Sequence, residues 1–329
     1  MIDVTWHDRR SGVRGWTIVL LCAIVSGGGG SALAATWSIE VAPAYVTVEG
    51  HDPSVLAVRR GGLAEGVALE TDEALGYRAG VLWDRGTWSY GLDFFIHRTD
   101  QSAGPLQAGG ATFELPHRSF TAAGPGQDLY FRTLEDTTVE LWVLDLTARR
   151  RLGRGSPTLI FGLRNADFDN DFRAIAGVGD VGGSRLDASS NYSRMIGPLV
   201  GIAAARERGR HKLGVDLRAS VVFGDIELSR ALRDFSGPPG AFAGPPEQVP
   251  AAQEKNVIAR TDSIEVPMAD LRLSWEVRLG SSWAVGASAG GTAWFDLAVP
   301  PGVDPSRPDA LEETTLVTYD VAATVRWTF

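Results

Sequence analysis

The last eleven residues, Tyr319 to Phe329, constrain this chain more than any other stretch. Successive side chains of a strand point to opposite faces. One face is then Tyr319, Val321, Ala323, Val325, Trp327 and Phe329, and the other is Asp320, Ala322, Thr324, Arg326 and Thr328. A soluble sheet also alternates. Here aromatics bracket the apolar face at both ends, the pattern of a barrel strand with lipid outside and a polar lumen inside.

The rest of the chain repeats that pattern. Period-two segments are predicted at 37–46, 75–84, 87–97, 138–148, 158–168, 194–205, 211–224, 263–279, 283–297 and 319–329. Very short and rather long connections alternate between them. Asp84-Arg85-Gly86 reads as a tight hairpin turn. This predicts an all-β, antiparallel transmembrane barrel of about ten strands, with short periplasmic turns and long extracellular loops. Twelve strands stay open if 54–60 or 111–115 forms an extra hairpin, and Gln127 to Thr133 can extend the fourth strand. Pro198 predicts a bulge, because proline removes a ladder hydrogen bond. Near Pro267 the alternation predicts a slip in phase, and the Gly- and Asp-rich stretch up to Tyr192 reads as a loop.

A helical membrane protein is excluded. Mean hydropathy is −0.02, and no apolar run reaches the roughly 20 residues a spanning helix needs. The longest, Trp16 to Val25, follows Arg9, Arg10 and Arg14 and precedes Ala32 and Ala34. That order is a secretory signal peptide over residues 1–34, leaving 35–329 as one barrel domain. The single cysteine, Cys22, falls inside the leader. A lipoprotein reading of Leu20-Leu21-Cys22 is disfavoured because the residue before the cysteine is not small. The mature chain then offers neither a disulfide framework nor a thiolate metal site. The leader takes three basic and two acidic residues from totals of 31 and 40, leaving a net charge of −10. This acidity argues against nucleic acid as a partner.

Tryptophan prefers the membrane–water interface. Trp37, Trp83, Trp88, Trp275, Trp283 and Trp327, with Phe329, fall at predicted periplasmic strand ends and share outward parity. Tyr45, Tyr77, Phe223, Phe295 and Tyr319 lie outward toward the opposite ends. Lipid and lipopolysaccharide are the partners this surface predicts. A bilayer offers the backbone no hydrogen-bond partners, so a strand protein must close on itself to span it.

The inward parity gathers Glu40, Arg78, Asp93, Asp145, Arg164, Asp216, Arg218, Asp270, Arg272, Glu276, Asp320 and Arg326. Such a set either lines a narrow pore, where rings of charge select ions, or pairs internally and plugs the barrel. Ten strands sit close to the size that side chains can fill. The chain is thus expected to serve as a narrow porin or as a structural envelope protein.

Two further motifs could carry chemistry. Asp167-Phe-Asp169-Asn-Asp171 begins like a calcium loop but lacks its glycine and distal glutamate, and a solvated acidic loop is the simpler reading. His97 and Asp100, with Asp93 below, stand where a rim-active barrel protease of the omptin type would carry catalytic groups. No paired Asp-x-Asp or Asp-x-His accompanies them, and the nucleophile elbow, phosphate loop and His-Glu-x-x-His are absent. A rim-active lipid hydrolase, or an adhesin acting through the long loops, would also suit a barrel of this shape.

Several segments resemble the Legionella-type major outer-membrane protein family of pore-forming barrels. They are Leu144-Asp145-Leu146, Phe161-Gly162-Leu163-Arg164, Gly197-Pro198 with Gly201, Val221-Val222-Phe223-Gly224 and Val266-Pro267. Ser193, Met195 and Leu199 depart from that family's aromatic-x-Gly-x-Gly-Pro-Arg pattern, so the resemblance is to a divergent member. It implies a porin-like role in the outer membrane of a Gram-negative-type bacterium. It also implies no cofactor, metal or catalytic residues, and a terminal strand read by the barrel-insertion machinery.

Overall fold

The computed structural model describes residues 36–49, 56–60, 63–67, 70–71, 73–102, 106–108, 112–115, 118–121, 129–134, 137–153, 156–178, 182–236, 253–299 and 312–329. The expected signal peptide lies outside them. So do the two Gly-Pro-Pro motifs, at Gly237-Pro-Pro and Gly244-Pro-Pro. Among the described residues no helix is long and apolar enough to cross a membrane.

Ten long strands carry the fold. They are β1 Thr36–Glu49, β2 Ala74–Arg85, β3 Trp88–Ser102, β4 Thr138–Arg151, β5 Thr158–Val178, β6 Gly182–Arg208, β7 His211–Ser236, β8 Gln253–Arg278, β9 Trp283–Val299 and β10 Glu312–Thr328. Each pairs antiparallel with its sequence neighbours, and β10 pairs back onto β1, so the sheet closes. The seam is sealed at its very end. Trp37 N donates to Phe329 O at 3.0 Å, and Phe329 N donates to Trp37 O at 2.9 Å. The terminal strand therefore closes the barrel on the residues from which its pattern was first read.

The short turns follow local chemistry. Gly86 has a φ of 77°, a left-handed conformation that side chains other than glycine avoid. Its N–H donates to Asp84 Oδ1 at 2.8 Å, an aspartate turn joining β2 to β3. Two other glycines are fixed by closeness. A Cβ on Gly162 would clash with Leu146 O, and one on Gly197 would clash with Val221 O. Only a bare backbone lets the neighbouring strands approach there.

The outer surface carries the expected belt. Val41, Leu146, Leu163, Val200, Leu217, Leu273 and Val321 are all exposed. At the short-turn end Trp37 stacks on Trp83 at 5.6 Å, Trp283 on Trp327 at 5.9 Å, and Trp327 meets Phe329 at 4.7 Å. Trp275 stacks on His211 at 6.0 Å, and the Arg150 guanidinium lies 5.6 Å over the Trp88 ring.

Several expectations on the long-loop side are corrected or refined. The stretch from Phe168 to Tyr192 is not a loop but the upper part of the β5–β6 hairpin, paired from Phe168↔Tyr192 to Val178↔Gly182. Asp167, Asp169 and Asp171 accordingly stand on alternate positions of an extended strand, roughly 7 Å apart from one to the next, and do not wrap an ion. No group of metal-binding side chains is found among the described residues. The bulge expected at Pro198 lies upstream, where the β6–β7 register shifts between Ser193 and Ile196 and Arg194 has a φ of 58°. Pro198 still leaves its mark, since the ladder resumes only at Leu199↔Ser220.

No slip occurs at Pro267. The β7–β8 register runs unbroken past Val221↔Pro267, and Val266 and Met268 point inward, fully buried. The interior changes from charged to apolar there, which mimics a change of phase. Leu129–Thr133 does extend β4, pairing with the top of β5. Leu56–Arg60 and Thr112–Leu115 form strands of a separate four-stranded sheet with Leu63–Val67 and Arg118–Thr121. The barrel stays at ten.

Candidate functional site

Ionisable side chains converge in the barrel interior, and their order follows from the strands. Along β1, β3, β5 and β7, which run away from the short turns, the inward charge comes first and apolar residues follow. Glu40 precedes Ala42 and Ala44, Asp93 precedes Phe95, Arg164 precedes Ala166 and Phe168, and Arg218 precedes Val222. The returning strands reverse the order, with Leu141 before Asp145 on β4 and Met268 before Asp270 on β8. Two stacked layers result: a charged one nearer the short turns and an apolar one above it.

The centre of the charged layer is a connected network, flanked by separate pairs. Arg164 donates from Nε and Nη2 to the two oxygens of Asp145, at 2.7 and 2.8 Å, and from Nη1 to Asp270 Oδ2 at 2.7 Å. Arg218 donates to both oxygens of Asp216 at 3.0 Å, and its Nη1 reaches Asp145 at 2.9 Å and Asp93 at 3.2 Å. Arg149 adds a 2.8 Å bond to Asp93. Arg78 holds Asp320 through Nε at 3.2 Å and lies 4.2 Å over the Phe95 ring. Thr292 donates to Asp270 at 2.7 Å. Toward the short turns Arg326 pairs with Glu276.

Several of these pairs cross the interior. Arg218 on β7 meets Asp93 on β3, four strands away in a ring of ten. Arg164 on β5 meets Asp270 on β8. The bonds thus join facing walls. Between them remains a cavity of about 60 Å³ lined by Glu40, Arg78, Asp93, Asp216 and Arg272 among others. It has room for a few waters. Isolated buried charges would be costly, and mutual pairing is what makes such a layer tolerable.

The twelve inward residues read from the sequence all line this interior. The partners they choose were not legible, because Arg218 and Asp93 are 125 residues apart. Sequence reading also missed Arg149, Thr292 and the whole apolar layer. Arg149 lies just beyond the segment predicted at 138–148, and the structure continues β4 through it to Arg151. The rim pair is not brought together: His97 points inward and is buried, whereas Asp100 is exposed on the outer face of the same strand.

The apolar layer contains Phe95, Phe168, Tyr192, Met195 and Trp294, with Leu141, Val222, Val266 and Met268 around them. Phe168 packs edge-on to Tyr192 at 5.6 Å and meets Trp294 at 6.3 Å. Phe168 belongs to β5 and Trp294 to β9, so this contact also spans the interior.

A closed ten-stranded sheet, an apolar outer belt, aromatic ends and a polar interior define a β-barrel of the outer-membrane type. No protein-family model matches the sequence, and neither does any curated protein. Among solved structures the chain is similar to the outer membrane protease OmpT from Escherichia coli, at 12% identity over 90% of this chain and 96% of that one, with a TM-score of 0.45. It is also similar to the translocator domain of autotransporter NalP from Neisseria meningitidis, at 10% identity, 96% and 95% coverage and a TM-score of 0.34. The toluene transporter TodX of P. putida matches at 10% identity, covering 90% of each chain, with a TM-score of 0.31.

Proposed function

We propose that this chain is a structural barrel of the outer membrane of a Gram-negative-type bacterium, closed at rest, exported with loss of residues 1–34. The observation that carries the reading is the set of ion pairs joining facing walls, above all Arg218 to Asp93 and Arg164 to Asp270. An open porin keeps a water-filled channel, and its wall charges face that water. Here the charges face one another, and an apolar layer lies above them. The resemblance to the Legionella-type barrels fits the same membrane and topology. The barrel would be held by lipid along its belt and would reach the membrane through its terminal strand. Long strands above the belt, from β5 to β8, would display surface to the exterior.

Liposome swelling tests the reading. Vesicles carrying the protein are expected to swell in small sugars no faster than protein-free vesicles. Swelling that depends on solute size would instead return the function to that of a porin.

A further inference from the structure

The two layers of the interior differ in their access to water. In the charged layer the side chains of Asp93, Asp216 and Arg326 keep 31%, 20% and 20% of their surface exposed. In the apolar layer Phe168, Tyr192, Met195 and Trp294 are wholly buried. Water thus meets part of the charged layer, on the short-turn side, and none of the aromatics above it.

The local backbone shows how that stop is built. Of four register shifts in the barrel ladders, one lies high on β7, between Leu232 and Arg233, and three lie at the level of the aromatics, between Ala166 and Phe168, between Ser193 and Ile196, and between Trp294 and Leu297. Arg194 and Asp296, at two of them, have φ values of 58° and 57°. A bulge re-aims the side chains beside it. Each of these three shifts flanks a member of the apolar layer: Phe168 at the first, Tyr192 and Met195 at the second, Trp294 at the third. Left-handed backbone at a residue with a Cβ is unfavourable and persists only where surrounding packing enforces it. The indole Nε1 of Trp294 has no hydrogen-bond partner in this layer, a further cost of driving that ring into a dry interior.

We propose that this bulge-built layer is a hydrophobic gate. It separates a partly wetted, charged lower lumen from the exterior, and it blocks ions by excluding water, as apolar constrictions do in channels. The ion pairs below it narrow the lumen but keep contact with water at Asp93, Asp216 and Arg326, and this side passes small ions once the aromatic contact between β5 and β9 is removed. This inference rests on the closed-barrel reading.

Single-channel recording in planar bilayers tests both, using the full barrel. Wild type is expected to give no discrete conductance steps, and the Phe168→Ala/Trp294→Ala double variant is expected to give them. Asp93→Asn, which weakens a cross-lumen ion pair but leaves the aromatics, is expected to stay silent. Steps from wild type would overturn the closed-barrel reading itself. A silent wild type with a silent, folded double variant would overturn the gate alone.

Should the double variant fail to fold, thiol labelling decides in the otherwise native barrel. Ser288 points inward and is buried on β9, on the short-turn side of Trp294. Ser288→Cys, made with Cys22→Ser, is expected to react with a membrane-impermeant thiol reagent added at the short-turn face and to resist it at the other. Equal reaction from both faces would refute the gate.

Discussion

Replacing Asp145 with alanine removes the acceptor shared by two buried arginines. Asp145 takes two bonds from Arg164 and one from Arg218, and the Arg164 side chain is only 2% exposed. Breaking a buried pair by deleting one partner typically costs about 3–5 kcal/mol, because a desolvated charge is left behind. Arg164 would keep Asp270, and Arg218 would keep Asp216 and Asp93. Those remaining partners bring the expected loss down to about 2–3 kcal/mol. In a water-filled channel the same pair would be worth no more than about 1 kcal/mol, so the size of the effect reports on the lumen.

The assay is reversible urea unfolding in lipid vesicles, followed by tryptophan fluorescence and read at constant m. Arg164→Met and the Asp145→Ala/Arg164→Met pair complete a cycle. The double variant is expected to lose less than the sum of the two single losses, since the bond they share is lost only once, while the loss of Arg164 from Asp270 is common to both Arg164 variants and cancels. An Asp145→Ala loss below about 1 kcal/mol would contradict a lumen in which the Asp145–Arg164 pair is desolvated.

Three other substitutions probe the belt, the strand packing and the girdle. Leu217→Arg places a charge at the middle of the lipid-facing belt, where Leu217 is 50% exposed; it should cost about 2–4 kcal/mol in bilayers, and a null effect on vesicle unfolding would contradict the assigned outer face. Gly197→Ala forces a Cβ against Val221 O, so β6 and β7 must separate, and loss of the heat-modifiable folded band on gels is expected; a normal folded yield would contradict that packing. Trp327→Ala removes the stacking on Trp283 and Phe329 and should destabilise by about 0.5–1.5 kcal/mol beyond the lost area, measured by the same unfolding; retention of wild-type stability would show the girdle to be unimportant.

How far the sequence carried depends on the solvent each part of a strand meets. Within the bilayer the outer face must be apolar, so period-two alternation set strand number, parity and the tryptophan ends directly. Leu213, Val215 and Leu217 could only point outward, and Asp216 and Arg218 inward. Above the bilayer the rule inverts. On the upper part of β5, Asp167, Asp169 and Asp171 lie on the outer face while Phe168 and Phe172 are buried inward. Upper β7 does the same, with Glu227 exposed and Ile226 and Leu228 buried. A template built on lipid outside sees polar residues at those positions and reads a loop. The same inversion made Val266 and Met268 look like a slip at Pro267. Pairing across the lumen was illegible for another reason. It depends on which strands face each other in a closed ring, which no local pattern encodes.

The two faces of β10 can be told apart within the bilayer itself. Nitroxide labels placed singly from Thr318 to Arg326 in lipid vesicles can be tested for collision with oxygen, which concentrates in the bilayer, and with a water-soluble nickel chelate. Val321, Ala323 and Val325 are expected to show high oxygen access. Thr318, buried and level with Thr292 just below Trp294, is expected to be shielded from both reagents. Absence of a period of two, or free access of the nickel reagent to Thr318, would contradict a lipid-facing barrel with a closed interior.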